Sequence, residues 1–163
     1  MLYLRGLIFT ILVPCVVGIV VPSLLNRDTH AAIGWKITGG VVILIGVALY
    51  GMCLLRFLLS GGTPAIFFTG PLKFLIGEEP GKLVHEGIYQ FSRNPMYLSV
   101  LLVVVGQAIF FRSSEVAFYG IALFLLFHLV VILIEEQHLR IKRGAAYEEY
   151  LQRVPRWLGR ARW

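Results

Sequence analysis

Residues 94–136 read NPMYLSVLLVVVGQAIFFRSSEVAFYGIALFLLFHLVVILIEE. Two apolar runs lie here, Met96 to Phe111 and Val116 to Ile134, broken only by Arg112, Ser113, Ser114 and Glu115. Neither run alternates with the period of a half-buried strand, and each is long for a buried strand, so both are expected to be helices. A four-residue break between them predicts an antiparallel helical hairpin. Asn94 followed by Pro95 has the grammar of a helix start: a capping side chain, then a residue whose missing N–H is harmless in the first turn.

Working outward, two more apolar runs precede this pair. Leu2 to Leu25 contains Arg5, Pro14 and Pro22, and Ile33 to Leu59 carries Lys36 and Arg56 near its ends and Gly34, Gly39, Gly40, Gly46 and Gly51 inside. A bilayer core needs about 20 helical residues, and glycines permit close helix contact. An N-terminal run of this kind also admits a signal peptide, but no small-x-small cleavage pattern follows it. The stretch from Ser60 to Arg93 is broken by Gly61-Gly62, Pro64, Gly70-Pro71 and Pro80-Gly81, which predicts loop and interfacial structure, with 63–77 open to either a surface or a re-entrant helix. The tail from Gln137 to Trp163 is polar and holds seven of the fifteen basic residues.

The 163 residues are 58% hydrophobic and 15% charged, with a net charge of +6 and a mean hydropathy of +0.79. A soluble domain is about a quarter charged. The composition therefore predicts an all-α polytopic membrane bundle, a single membrane domain with spans about 2–25, 33–59, 95–111 and 115–136. If both termini and the 60–94 loop share one side, that side holds Arg5, Arg56, Lys73, Lys82, Arg93, Arg140, Lys142, Arg143, Arg153, Arg156, Arg160 and Arg162, leaving Arg27, Lys36 and Arg112 opposite. This asymmetry predicts cytoplasmic termini, with a bacterial or archaeal inner membrane as the expected location. The positive charge thus records topology, and nucleic acid is not an expected partner. Cys15 and Cys53 sit inside apolar runs and read as buried hydrophobes. The histidines lack metal-ligand spacing, so no metal site is expected. The chain contains no internal repeat.

Two places break local rules. Glu135-Glu136 closes a helix at the negative end of its dipole, where carboxylates are disfavoured by a few tenths of a kcal/mol or more. An i,i+4 pair of Glu136 with Arg140 accounts for one of them; Glu135, about 100° round the helix, is expected to face into the bundle, where an ionisable group marks function. The second is Gly87 to Tyr97, where Arg93 stands at the helix start beside Tyr89 and Tyr97. Helix N–H groups and a planar guanidinium favour a carboxylate or phosphate, and the tyrosine rings favour a base or a cation. Capping, snorkelling and an aromatic belt explain much of the same pattern without a ligand. Together the two places suit a ligand with a carboxylate, an ammonium, a sulfonium and an adenine, namely S-adenosylmethionine.

On these residues the chain resembles the isoprenylcysteine carboxyl methyltransferase and phospholipid methyltransferase superfamily of integral membrane methyltransferases. The ordered motifs are Gly62-Thr63-Pro64, then Leu83-Val84-x-x-Gly87-x-Tyr89-x-x-x-Arg93-Asn94-Pro95-x-Tyr97, Glu135-Glu136-x-x-Leu139, Gly144-x-x-Tyr147-x-x-Tyr150 and Val154-Pro155-Arg156, from about Gly61 to Arg156. The resemblance implies S-adenosylmethionine as cofactor, held by His85, Gly87, Ile88, Tyr89, Arg93, Asn94, Pro95, Tyr97, Glu135 and Glu136. Arg93 and Glu135 would be the catalytic residues, with 147–156 folding back as a lid. It departs from the family at Asn94, where histidine is familiar, and at Ser99, where glycine is usual. Asparagine cannot titrate, so position 94 is not expected to serve as acid or base.

The expected chemistry is in-line methyl transfer to a lipophilic acceptor reaching the site from the bilayer. An isoprenylcysteine carboxylate is favoured, with phosphatidylethanolamine or a small thiol as alternatives. An amine acceptor must lose a proton, for which His85 and Glu86 are the candidate bases. Of the other classes, a transporter subunit has only His128 as a mid-span ionisable group, expected instead to be packed and hydrogen-bonded to backbone, and a non-catalytic scaffold would not bind the cofactor. The oligomeric state is open.

Overall fold

The computed structural model describes residues 4, 7, 8, 10–25, 31–64 and 80–159. Most of the 63–77 segment and the first residues of the N-terminal run therefore lie outside the described residues. Among the described residues the chain is all helical, without strands. A wide π-helical stretch, Ile11–Val20, leads into α1 (Val21–Leu25); α2 spans Ile33–Leu59, α3 Pro95–Phe111 and α4 Ser114–Val130. A π-helical turn, Val131–Glu135, joins α4 to α5 (Glu136–Arg143), and α6 (Ala145–Arg153) follows.

Among the described residues, two helices are long and apolar enough to cross a membrane, Ile33–Leu59 and the continuous Ser114–Arg143. Pro95–Phe111 and, among the described residues, Pro14–Leu25 are shorter apolar helices; the expected 2–25 span includes residues outside the described ones, so its full length lies outside the described residues. The long helices have apolar outward faces: Leu44, Val47 and Leu55 on one, Phe118, Leu125 and Leu129 on the other, are all exposed.

The glycines of α2 divide by face. Gly39, Gly46 and Cys53, seven residues apart, are buried against α3. A Cβ on Gly39 would lie 2.5 Å from the backbone nitrogen of Phe110, and one on Gly46 2.9 Å from the carbonyl oxygen of Ser99, so the backbones themselves are in contact and run antiparallel. Gly106 of α3 meets Ile43 in the same way, whereas Gly34, Gly40 and Gly51 face open space. Ser99 fits this contact with its hydroxyl turned back onto the Met96 carbonyl, 2.5 Å away.

Prolines explain how the first helix is held. Pro22 has no N–H to give Gly18, four residues back, and the Gln107 amide of α3 donates to that oxygen instead, at 2.5 Å. In the π-helical stretch the Val21 N–H reaches Val16 rather than Val17, and the Tyr119 hydroxyl donates to the Val17 oxygen at 2.8 Å. Buried backbone acceptors left open by the helix are thus satisfied by side chains of its neighbours. Val100, Leu101, Val104, Val116 and Leu123 form the core between these elements.

Candidate functional site

The site lies where the start of α3 meets the π-helical turn at the end of α4. That turn brings two consecutive carboxylates inward: Glu135 and Glu136 are both 6% exposed. Single π turns inside α-helices recur at functional sites. Glu135 Oε1 accepts from the Tyr97 hydroxyl at 2.5 Å, and the Tyr97 ring leans on Phe127 with centroids 4.6 Å apart. Glu136 is held by two arginines: Arg93 Nη1 donates at 3.0 Å, and Arg156 donates through Nε at 2.7 Å and Nη2 at 3.0 Å. Pairing with the Glu136 carboxylate raises the Arg156 pKa above its ordinary value.

This differs from the expected Glu136–Arg140 pair. Arg140 Nε lies 3.4 Å from Glu148 of α6 instead, because the π turn points Glu136 into the bundle, away from its own helix surface. The C-terminal segment that supplies Arg156 is pinned by backbone. The Arg93 N–H donates to the Pro155 oxygen at 3.0 Å, and Asn94 Nδ2 donates to the Arg156 oxygen at 2.9 Å. Asn94 therefore occupies the N-cap position without a side-chain cap bond; its carboxamide is drawn off by the Arg156 carbonyl of the returning segment. Trp157 anchors the same segment further by donating through Nε1 to His128 Nδ1 at 3.0 Å. The partner of His128 is thus an indole from the C-terminal segment and not the backbone.

Below the α3 start, the 3-10 turn Gly87–Gln90 directs Tyr89 inward, edge-on to Phe57 with centroids 5.7 Å apart. Gly87 takes a φ of +63°, the left-handed region, and a Cβ there would meet the Arg56 guanidinium at 2.9 Å. Tyr150 donates to the Tyr89 oxygen at 2.6 Å, and Tyr147, Tyr150 and Val154 pack together with Leu83 and Leu139 around them. The loop carrying Leu83 is tied to the end of α5 by the Arg143 guanidinium on the Pro80 and Gly81 carbonyls. Burial pushes the Tyr147 phenol up to about 12 and lifts those of Tyr89 and Tyr150 above their usual range. All three are neutral at physiological pH and act as donors and ring faces.

Two clefts meet at this cluster. One is lined by Tyr89, Arg93, Asn94, Glu135, Leu139, Arg143, Tyr147 and Tyr150, with a free volume of about 60 Å³. The other is apolar, lined by Pro14, Val17, Pro64, Pro95, Met96, Tyr97, Val100 and Phe127. Phe57, Tyr89, Arg93, Asn94 and Glu135 line both. Arg93 Nε is buried without a hydrogen-bond partner, an unspent donor in a site where such groups are costly.

Of the residues singled out by sequence, Tyr89, Arg93, Asn94, Pro95, Tyr97, Glu135 and Glu136 come together. His85 stands apart: it is exposed, with Nδ1 3.1 Å from the Leu83 oxygen. Glu86 faces Arg56 at 3.5 Å, and Ile88 packs beside the Cys53, Phe57 and Tyr89 cluster. Sequence reasoning did not find Phe57, Arg143 or the Trp157–His128 contact, nor that Arg156 is the bidentate partner of Glu136. Partners 20 to 60 residues apart carry no local spacing signal.

Fold and site together define a protein, all-helical among its described residues, whose long apolar helices carry a cluster of two buried carboxylates and two guanidinium groups at one end. Residues 36–142, which include that cluster except Arg156, match the phospholipid methyltransferase family, and the chain belongs to it. Over 78 residues it is 37% identical to protein-S-isoprenylcysteine O-methyltransferase B of Arabidopsis thaliana, a match covering 48% of this chain and 40% of that protein. The chain thus matches well under half of that relative's length. No solved structure matches.

Proposed function

We propose that the protein is an integral membrane methyltransferase that uses S-adenosylmethionine to methylate the carboxylate of a lipophilic acceptor of the isoprenylcysteine type. The observation that carries this reading is the partition: a cleft with charged and aromatic groups and an apolar cleft share Arg93 and Glu135. The apolar outward faces of two span-length helices and the one-sided basic residues support a bundle of four spans with α3 and α4 as its hairpin and both termini in the cytoplasm.

The donor set fits the cofactor chemically. The unpartnered Arg93 Nε suits a carboxylate, Glu135 an ammonium or sulfonium charge, and the Tyr89, Tyr147 and Tyr150 rings an adenine. When bound, S-adenosylmethionine supplies an electrophilic methyl group on a sulfonium. Tyr97 holds the Glu135 carboxylate in place through its hydroxyl. Glu136 neutralises Arg93 on its Nη1 side, leaving Nε to orient an anion. Pro14, Val17, Met96, Val100 and Phe127 exclude water from the acceptor side, and the shared wall sets the alignment on which such a displacement depends. A cleft of about 60 Å³ holds a few waters, so admitting a nucleoside requires outward movement of the 145–159 segment, the role of a lid.

A carboxylate acceptor is favoured because neither cleft is lined by a histidine among the described residues, and an ionised carboxylate needs no base. Phosphatidylethanolamine is the second reading; it would require Glu135, which borders both clefts, to take the amine proton. Titration calorimetry with S-adenosylmethionine on the purified protein tests the cofactor. Saturable binding in the micromolar range, lost in Arg93→Ala, is expected; no heat at high micromolar cofactor would remove the enzyme reading.

A further inference from the structure

The end of the bundle remote from Glu135 carries a second site. α3 closes on Arg112 in the left-handed conformation, φ 52° and ψ 36°, where helices favour glycine because a side chain there is strained. Its guanidinium carbon lies 5.5 Å from the centroid of the Trp35 ring, and among the described residues it forms no ion pair. The nearest acid in sequence, Glu115, accepts from the Ser113 and Ser114 hydroxyls at 3.1 and 3.3 Å, at the N-terminus of α4.

From Arg112 a groove of about 760 Å³ runs between α3 and α4. Its floor is small, with Ala108, Ala117 and Gly120, and its wall residues Val105, Ile121 and Phe124 are exposed apolar side chains. Polar groups gather only at the Arg112 end, at Ser113 and Ser114. From Arg112 to Leu101, the deepest α3 residue of the groove, the helix covers roughly 16 Å. A planar cation at the mouth of an apolar channel has the polarity pattern of a phosphate ester carrying an acyl chain.

The geometry points to a binding site for one anionic phospholipid, its phosphate on Arg112 and one acyl chain along the α3–α4 groove. This rests on the membrane reading above but not on the methyltransferase chemistry, since the groove shares no residue with either cleft of the candidate site. An aliphatic chain packs against small residues on facing helices without displacing them, and the exposed Arg112 guanidinium, 5.5 Å from the Trp35 ring centroid, is within reach of an anion.

Native mass spectrometry of the full chain in detergent tests it, with phosphatidylglycerol as the probe and phosphatidylcholine and inorganic phosphate beside it. One phosphatidylglycerol is expected to bind about tenfold more tightly than phosphatidylcholine. Arg112→Gln and, independently, Ala117→Trp, which fills the groove and keeps the cation, should each weaken it by about tenfold. Thermal unfolding at the wild-type temperature identifies both variants as folded, and retained S-adenosylmethionine binding separates this site from the methyltransferase reading. Equal binding of the two lipids, unchanged binding in both variants, displacement by phosphate alone, or a dimer abolished by Ala117→Trp would each overturn the assignment.

Discussion

Removing the charge of Glu136 probes the buried cluster directly. In Glu136→Gln the amide keeps the size of the side chain and one acceptor, but Arg93, whose side chain is 11% exposed, loses its counter-charge. Arg156 at 32% exposure can turn toward water; Arg93 cannot without leaving the α3 start. Breaking a buried pair from one side costs about 3–5 kcal/mol, and for a chain of this length roughly 2–4 °C of Tm accompanies each kcal/mol. Glu136→Gln is therefore expected to unfold roughly 6–20 °C below wild type, followed by intrinsic fluorescence in detergent. Replacing the stranded cation as well, in Glu136→Gln/Arg93→Met, should recover part of the loss, because the penalty comes from the uncompensated charge. As a reference, Arg140–Glu148, with both side chains more than half exposed, should couple by less than about 1 kcal/mol. A double variant as unstable as the sum of its singles would refute this account of the cluster.

Other consequences follow from the packing. Gln107→Leu leaves the Gly18 carbonyl without the amide donor it has at 2.5 Å and should destabilise by about 1–3 kcal/mol; a melt within half a kcal/mol of wild type would disagree. Gly46→Leu drives a side chain into the α3 backbone, whereas Gly40→Leu enters open space, so the first is expected to abolish folded protein and the second to express normally on size-exclusion chromatography. Trp157→Ala removes the donor to His128 and should speed hydrogen exchange at the Arg93 amide, which bonds the Pro155 oxygen; unchanged protection would mean that the C-terminal segment is held without its tryptophan.

The helices were legible because their apolar runs are long and their punctuation is local: Pro95 starts α3, and the break at Arg112, Ser113, Ser114 and Glu115 separates it from α4. The gathering of Tyr89, Arg93, Tyr97 and Glu135 was legible from rule-breaking residues at two helix ends. What stayed hidden depends on geometry the sequence does not spell. The π turn at Val131–Glu135 redirects Glu136 from Arg140 to Arg93 and Arg156, and nothing in VILIE announces an extra residue per turn. The second contacts of α2 obey a seven-residue spacing of Gly39, Gly46 and Cys53, visible afterwards but indistinguishable beforehand from Gly34, Gly40 and Gly51. The returning C-terminal segment competes for the Asn94 carboxamide, and so a residue with the grammar of a cap becomes a clamp.

The central claim is that Arg93 and Glu135, on the wall between the two clefts, align a methyl donor with a lipophilic carboxylate. The direct measurement is transfer of a labelled methyl group from S-adenosylmethionine by the purified protein to a farnesylcysteine analogue, with phosphatidylethanolamine in parallel. The account predicts base-labile methyl ester on the farnesylcysteine analogue, reduced at least about a hundredfold in Arg93→Ala, the scale of a lost charged orienting group, with the protein still folded. Label in neither acceptor, or undiminished transfer by Arg93→Ala and Glu135→Gln, would contradict it.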